Sequence, residues 1–364
     1  MKNFLLIVLA VAVAALALFA MAPRRPAADA GRTRPAGPLR TVSLYVGGEK
    51  MKFLENPETR RLLAERHGLS LHAVKAGSIE MVRDLDLAGK DALWPSNDIA
   101  VEFFRMRGAK ARATDIAFNS PIVIYTGWNI ANALIREGLV EKRDDGYYIV
   151  RFADLLAMCQ ERRKWKDLGL NFFGTVSVRS TDPSRSNSGN MFAGLVANMM
   201  NGADVVDERR VEALLPRLQA FFSPMGLMEH SSEDIFLKFI ATGVNNSMIV
   251  GYENQLVEFL LAHPENREAI LSSVCVLYPL PTVWSSHPII ALTENGQRLI
   301  DAMRDGEIQD LAWRRHGFRS GLAGVSQNPA VLNIPFVPET IESVIPLPSA
   351  RAMDRIVQAL SAPR

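Results

Sequence analysis

The densest set of groups able to hold a small polar molecule lies in the loop Ser180-Thr181-Asp182-Pro183-Ser184-Arg185-Ser186-Asn187-Ser188-Gly189. Ser186, Asn187 and Ser188 bring hydroxyls and an amide, Gly189 permits close backbone approach, and Arg185 adds a charge-assisted partner for an anion. A stretch from about Asn190 to Met200 follows with helical character, so the loop opens a helix. Free N–H groups at a helix start, with the positive end of its dipole, favour an anion by about 0.3 to 1 kcal/mol when exposed and about 2 kcal/mol when partly buried. The same residues also make an ordinary helix cap beside a solvated arginine, and taken alone they weigh both readings equally.

Other candidates sit at strand ends. Gly47, Gly48 and Glu49 follow the first strand, Ser78 the second, and Ser96 with Asn97 the third; Asn119 and Ser120 lie where a strand meets Pro121, and Tyr252 ends a later strand. Each has a plainer role: a glycine turn for Gly47-Gly48, a helix cap for Ser78, a turn for Asn119-Ser120, and packing for Tyr252 and Trp284. If Glu49 faces the same gap as the serines it repels an oxyanion and suits a cation or an amine, so ligand charge stays open. Catalysis has no comparable support. The chain lacks a G-x-S-x-G elbow, H-E-x-x-H, G-x-G-x-x-G and a phosphate loop ending in Lys-Ser or Lys-Thr. His67, His72, His230, His263, His287 and His316 are scattered and read as satisfied or solvent-facing. Ser232 before Glu233-Asp234 is a helix cap with first-turn acids rather than part of an acid–base cluster with His230. No catalytic residue, metal site or cofactor is expected.

The elements that must position these groups alternate. Thr41–Val46 is a short strand, and Asn56-Pro57-Glu58 opens a helix that Gly68 stops. Leu69–Val74 and Ala92–Trp94 are strands with a helical stretch between them, an order that predicts a parallel sheet covered by helices. Ala113–Phe118 and Ile122–Tyr125 flank Asn119-Ser120-Pro121, a strand interrupted by Pro and so a candidate crossing between two lobes. Helices are expected at Asn129–Glu137 and Phe152–Trp165, a strand at Phe172–Val178, and a helix at Val211–Phe222 that Pro216 should bend or end. Asp234–Ile240 is a helix, Ser247–Tyr252 and Val274–Leu280 are strands, and Pro281–Leu292 offers a second crossing. Asn295–Arg304 and Glu307–His316 close the body as helices, and a terminal helix is expected over Ala350–Leu360.

With 364 residues, the chain exceeds what one hydrophobic core usually serves, so two lobes are expected. Their boundaries fall at 40–120 plus 285–320 for the first and 121–284 for the second, with 321–364 as a Pro-rich extension. Lys and Arg number 41 against 39 Asp and Glu, without a basic block, which excludes a nucleic-acid footprint. Cys159 and Cys275 lack the spacing of a metal or redox motif and read as buried thiols, although a disulfide stays open. Phe4–Ala22 is an uncharged apolar run long enough to span a bilayer, so residues 1–22 are an anchor or a signal, with Ala28-Asp29-Ala30 as a cleavage site. Arg24, Arg25, Arg32 and Arg34 behind it oppose export by charge bias. Residues 23–39 are a flexible tether.

Four short features then take on a common meaning: Gly47-Gly48-Glu49 after the first strand; Thr181-Asp182-Pro183 followed by Ser186-Asn187-Ser188-Gly189; Met248-Ile249-Val250 running into Gly251-Tyr252-Glu253-Asn254; and Gly317-Phe318-Arg319 after a Gln309-bearing amphipathic stretch. In this order, over residues 41 to 320, the chain resembles the periplasmic solute-binding proteins of ABC importers, in the branch for molybdate, sulfate, phosphate and related ligands. The resemblance implies an α/β, two-lobed type II fold with mixed sheets flanked by helices and two crossing strands as a hinge. It implies a monomer on the periplasmic or extracellular side of the cytoplasmic membrane, a small-molecule or oxyanion ligand in the cleft, and a permease as partner. The long membrane run and the extension beyond Arg319 depart from the family pattern and favour a second reading, an anchored sensor or scaffold of the same fold.

Overall fold

The computed structural model describes residues 38–361 except Asn245 and Ser326. The anchor or signal expected over residues 1–22, and nearly all of the tether, lie outside the described residues. Among the described residues no helix is long and apolar enough to cross a membrane.

Alternating apolar residues make β1 (Arg40–Val46), in which Val42, Leu44 and Val46 are buried. It pairs in parallel with β2 (Leu69–Lys75) and β3 (Ala92–Trp94). Between β1 and β2 lie α1 (Met51–Glu55) and α2 (Pro57–His67); Asn56 caps α2 by accepting from the Glu58 N–H, and Gly68 ends it in the left-handed conformation. The short α3 (Glu80–Arg83) and α4 (Ile99–Met106) flank β3. The sheet continues through β10 (Trp284–Ala291), antiparallel to both β3 and the long β4 (Ala113–Gly127).

β4 is the spine of the molecule. Its first part, Ala113 to Pro121, pairs with β10, and its second part, from Ile122, pairs with β8 (Met248–Tyr252) and β9 (Val274–Leu280). The partner change falls at Pro121, where the residue has no N–H to give. The segment Leu280–Trp284 runs beside it: Thr282 Oγ1 donates to the Ile122 carbonyl at 2.6 Å, and the Ile122 N–H donates to the Val283 carbonyl at 3.1 Å. Of the segment expected as the second crossing, the strand starts earlier than Pro288, which instead sits at a register shift within β10.

Past β4 the chain forms α5 (Trp128–Arg136), a hairpin of β5 (Val140–Lys142) and β6 (Tyr148–Arg151), and α6 (Phe152–Gln160). Of the strand expected over Phe172–Val178 only β7 (Val178–Arg179) forms, beside β8. Thr175 bridges back to Lys164 and Phe172 packs on Trp165, while Phe173 is fully exposed, so this stretch folds on itself instead of extending. Two helices follow, α7 (Asn187–Met200), buried almost throughout, and α8 (Val211–Phe222). Pro216 lies within α8 without ending it; the residue is exposed, and the apolar face Val211, Leu214, Leu218 and Phe222 stays packed. The body is completed by α9 (Ser232–Lys238), α10 (Glu253–Ala262), α11 (Arg267–Ser273), α12 (Glu294–Met303), α13 (Gly306–His316) and β11 (Arg319–Ser320), which pairs with β4 at Phe118 and Asn119. The chain ends in α14 (Ala350–Ser361).

The core has three parts. One lies under α1, α2, α12 and α13 around Phe53, Phe118 and Phe318, and another around Tyr125, Leu256 and Trp313. The largest joins Met81, Phe103 and Phe104 of α3 and α4 to Phe192 of α7, Leu218 of α8 and Met353 of α14. Both halves of the sheet thus share apolar packing, and the described residues fall in one compact unit.

Candidate functional site

A cleft of about 610 Å³ opens where the carboxyl ends of β1 and β2 meet the start of α7, the end of β8 and helices α9 and α10. Ligands of open α/β sheets sit at such strand ends. Gly47, Gly48, Glu49, Ser78, Arg185, Ser186, Asn187 and Tyr252 all line it. A side branch of about 410 Å³ continues past Ser78 and Arg185 to Asn190.

The floor is a network that joins the two halves. Asn187, on the first turn of α7, donates from Nδ2 to the Ser96 carbonyl and to Tyr252 Oη, each at 3.0 Å, and its Oδ1 accepts from Asn97 Nδ2. Asn97 in turn caps α4, its Oδ1 accepting from the Ala100 N–H at 2.9 Å. Ser78 Oγ accepts the Ser96 N–H at 2.9 Å. Tyr252 is 1 % exposed, and burial, reinforced by the Glu49 charge, holds its phenol well above the usual 10, so it keeps its proton. On the α7 side, Ser188 Oγ shares hydrogen bonds with Thr181 Oγ1 at 2.8 Å and Ser186 Oγ at 3.1 Å. Gly189 is required there: a Cβ would stand 2.2 Å from the Thr181 carbonyl oxygen.

Lys50 lies beneath Glu49 and is 0 % exposed. Its ammonium donates to Ser96 Oγ at 2.8 Å, His287 Nδ1 at 3.1 Å, Glu49 Oε1 at 3.2 Å and the Pro95 carbonyl at 3.3 Å. Burial pulls its pKa below the usual 10.5, against the opposing pull of Glu49. Burial, then the Lys50 charge, pushes His287 well below 6.5. A neutral His287 that accepts at Nδ1 carries its proton on Nε2, aimed at Ser285 Oγ 3.3 Å away, while Ser285 donates to the Ser96 carbonyl at 2.7 Å. Glu49 thus faces the cleft with a cation at its back, which blunts its repulsion of an anion.

Two candidates lie apart from this network. Ser120 Oγ accepts the Asn254 N–H at 3.2 Å behind the cleft, and Asn119 Nδ2 donates to the Ser320 carbonyl at 3.2 Å beside β11. Arg185 is exposed at the mouth, its guanidinium 3.4 Å from His230 Nδ1. Lys50, Ser285, His287 and Asn254 are site residues that sequence reasoning did not single out. Asn254 lines the cleft and is 1 % exposed, and its buried Oδ1 has no hydrogen-bond partner among the described residues. Its place directly after Tyr252-Glu253 was the available signal. Nothing near Lys50 in sequence announces His287. Among the described residues, no group of three or more His, Cys, Asp or Glu is placed to hold a metal ion.

No protein-family model matches the chain, and no curated protein does. Solved structures do. Apo ferric ion-binding protein A of Pasteurella haemolytica superposes with a TM-score of 0.56 at 13 % identity, covering 88 % of this chain and 95 % of its own. An ABC transporter structure from Clostridium perfringens gives 0.55 at 13 % identity, covering 88 % and 98 %. The sulfate-binding protein SubI of Mycobacterium tuberculosis gives 0.50 at 16 % identity, covering 87 % and 96 %. The fold is that of the type II periplasmic solute-binding proteins. The likeness is one of fold, and in this chain Asn187, Ser96 and Asn97 tie the two sides of the strand-end cleft together at its base.

Proposed function

We propose that this protein is an extracytoplasmic solute-binding protein that closes around a small polar ligand, an oxyanion foremost, and presents it to the permease of an ABC importer. The observation that carries the reading is the polar lining from both sides of one cleft, Glu49 and Ser78 beyond β1 and β2 and Ser186, Asn187 and Tyr252 at α7 and β8, tied together beneath by Asn187 to Ser96 and Asn97. A ligand drives closure only by binding the closed form better than the open one, and contacts from both sides meet that condition. The first lobe takes residues 40–120 and 285–320 and the second 121–284. The α7 amino terminus and Arg185 serve an anion, and Lys50 offsets Glu49. Residues 1–22 export the chain and either stay as an anchor or are removed; the body acts as a monomer.

A thermal-shift panel of sulfate, molybdate, phosphate, amino acids, polyamines and sugars tests this. One class should raise the melting point, since ligand at a hundred times its Kd adds about 2.7 kcal/mol. A flat response to every class would remove the binding role. The second reading, an anchored sensor or scaffold of the same fold, is favoured by one observation: residues after Ser320 are packed across both halves instead of trailing free.

A further inference from the structure

Residues 321–361 touch every part that a hinge would move. Where they pass the segment 280–284, the Thr282 N–H donates to the Ser343 carbonyl at 3.0 Å and the Ile345 N–H donates to the Thr282 carbonyl at 2.8 Å. Arg319, in β11 beside β4, donates to the Pro338 carbonyl at 2.6 Å and the Glu339 carbonyl at 3.0 Å, and holds Glu253 of α10 through Nε at 2.7 Å and Nη2 at 2.9 Å. The segment then crosses α7 at Gly194, where a Cβ would stand 2.8 Å from Leu347 Cδ2 and 3.0 Å from Met353 Sδ. A glycine inside a helix is costly by itself, and its use here is close approach.

α14 then lies between the halves. Ala352, Met353, Ile356 and Leu360 bury into the core shared with α7 and α8, and Arg355 pairs with Glu212 of α8 at 2.6 Å. On the opposite side the Ala350 N–H donates to Glu102 of α4 at 2.9 Å, and Asp354 pairs with Arg83 of α3 at 2.7 Å. The helices it joins, α4 and α7, are the two whose amino termini carry Asn97 and Asn187 on the cleft floor. Moving one lobe from the other therefore requires α14 to leave one of them.

We infer that the carboxy-terminal segment is a clamp that holds the cleft closed, and that opening proceeds by release of α14 from α3 and α4 while it stays seated on α7 and α8. α14 packs against apolar residues on both sides, more extensively on α7 and α8 than on α4, and the α3–α4 side adds the exposed polar contacts of Arg83 and Glu102; the lesser contact gives way first. The inference concerns control of the proposed cleft and rests on that reading for its two lobes and for its ligand arm.

The test measures distance across the lobes of the full chain with spin labels at Glu65→Cys and Lys166→Cys, both exposed positions. The native thiols are first replaced in the labelled protein, Cys159→Ser and Cys275→Ala, since Cys159 is partly exposed. Without ligand, the parent should give one narrow short distance. Ile356→Asp, and separately Arg83→Ala with Glu102→Ala, should add a longer one, its population rising roughly tenfold or more. A parent that already samples the long distance, or a folded Ile356→Asp protein with the parent distribution, overturns the clamp. Should Ile356→Asp fail to fold, the Arg83 and Glu102 variant decides alone. Adding sulfate or another responder from the thermal panel should restore the short distance. A clamp that opens on mutation while no solute acts on either form upholds the clamp and sinks the binding role.

Discussion

Substituting His287 by Asn probes the polarity of the cleft floor through the pH dependence of stability. His287 is 1 % exposed, and its folded pKa lies well below 6.5, through burial first and the Lys50 ammonium second. The unfolded chain, by contrast, protonates this imidazole as pH falls through 6.5. Below that point the unfolded state binds more protons than the folded one, so folding stability drops as the solution is acidified and is complete above it. One pH unit below 6.5 corresponds to about 1.4 kcal/mol, close to tenfold in the unfolding constant. The other histidines contribute equally to parent and variant and cancel in the difference. Urea unfolding of parent and His287→Asn at about pH 7.5 and about pH 5.5 reads it directly, with m-values checked for two-state behaviour. The variant should be less stable at the higher pH, because the smaller amide leaves part of the imidazole's space beside Phe318 unfilled, and the gap should narrow by about 1.4 kcal/mol at the lower. A gap of the same size at both pH values would mean that His287 is charged in the folded protein, and the account of a neutral acceptor for Lys50 would fail.

Ser186→Ala with Ser188→Ala should weaken ligand binding by about tenfold, because two hydroxyls at the start of α7 are lost, at a folding cost of about 1 to 2 kcal/mol for the bond to Thr181. Unchanged affinity in calorimetry would take that loop out of the site. Arg319→Met should cost about 3 to 5 kcal/mol by leaving the Glu253 carboxylate buried against Tyr278 alone. Adding Glu253→Gln should recover part of that loss in the urea midpoint, and no recovery would show that Arg319 acts through packing on Trp313, 5.4 Å from its guanidinium.

The sequence showed elements whose periodicity is local. Thr41–Val46 and Ala92–Trp94 read as strands because their alternation and flanking turns lie within a few residues, and Asn56-Pro57 with Gly68 framed α2 at both ends. The hairpin of β5 and β6 was missed although Asp144-Asp145-Gly146 marks its turn, because its strands are only three and four residues long. Ser186, Asn187 and Ser96 could be proposed because small polar residues at strand ends and helix starts carry their meaning with them. Lys50 could not, since a lysine is ordinarily solvated and its burial depends on His287, 237 residues away. The terminal helix was legible from its amphipathic spacing, but its seat was not: Gly194 gives no sign in sequence that a second segment lies against it.

The residues after Ser320 follow, in chain order, every element they join. They are synthesised after both layers of the body, so the sheet and its cleft can assemble before the final segment settles across them. Tying together comes last, and a guest already seated during folding would be fastened in by the closing stretch of the same polypeptide.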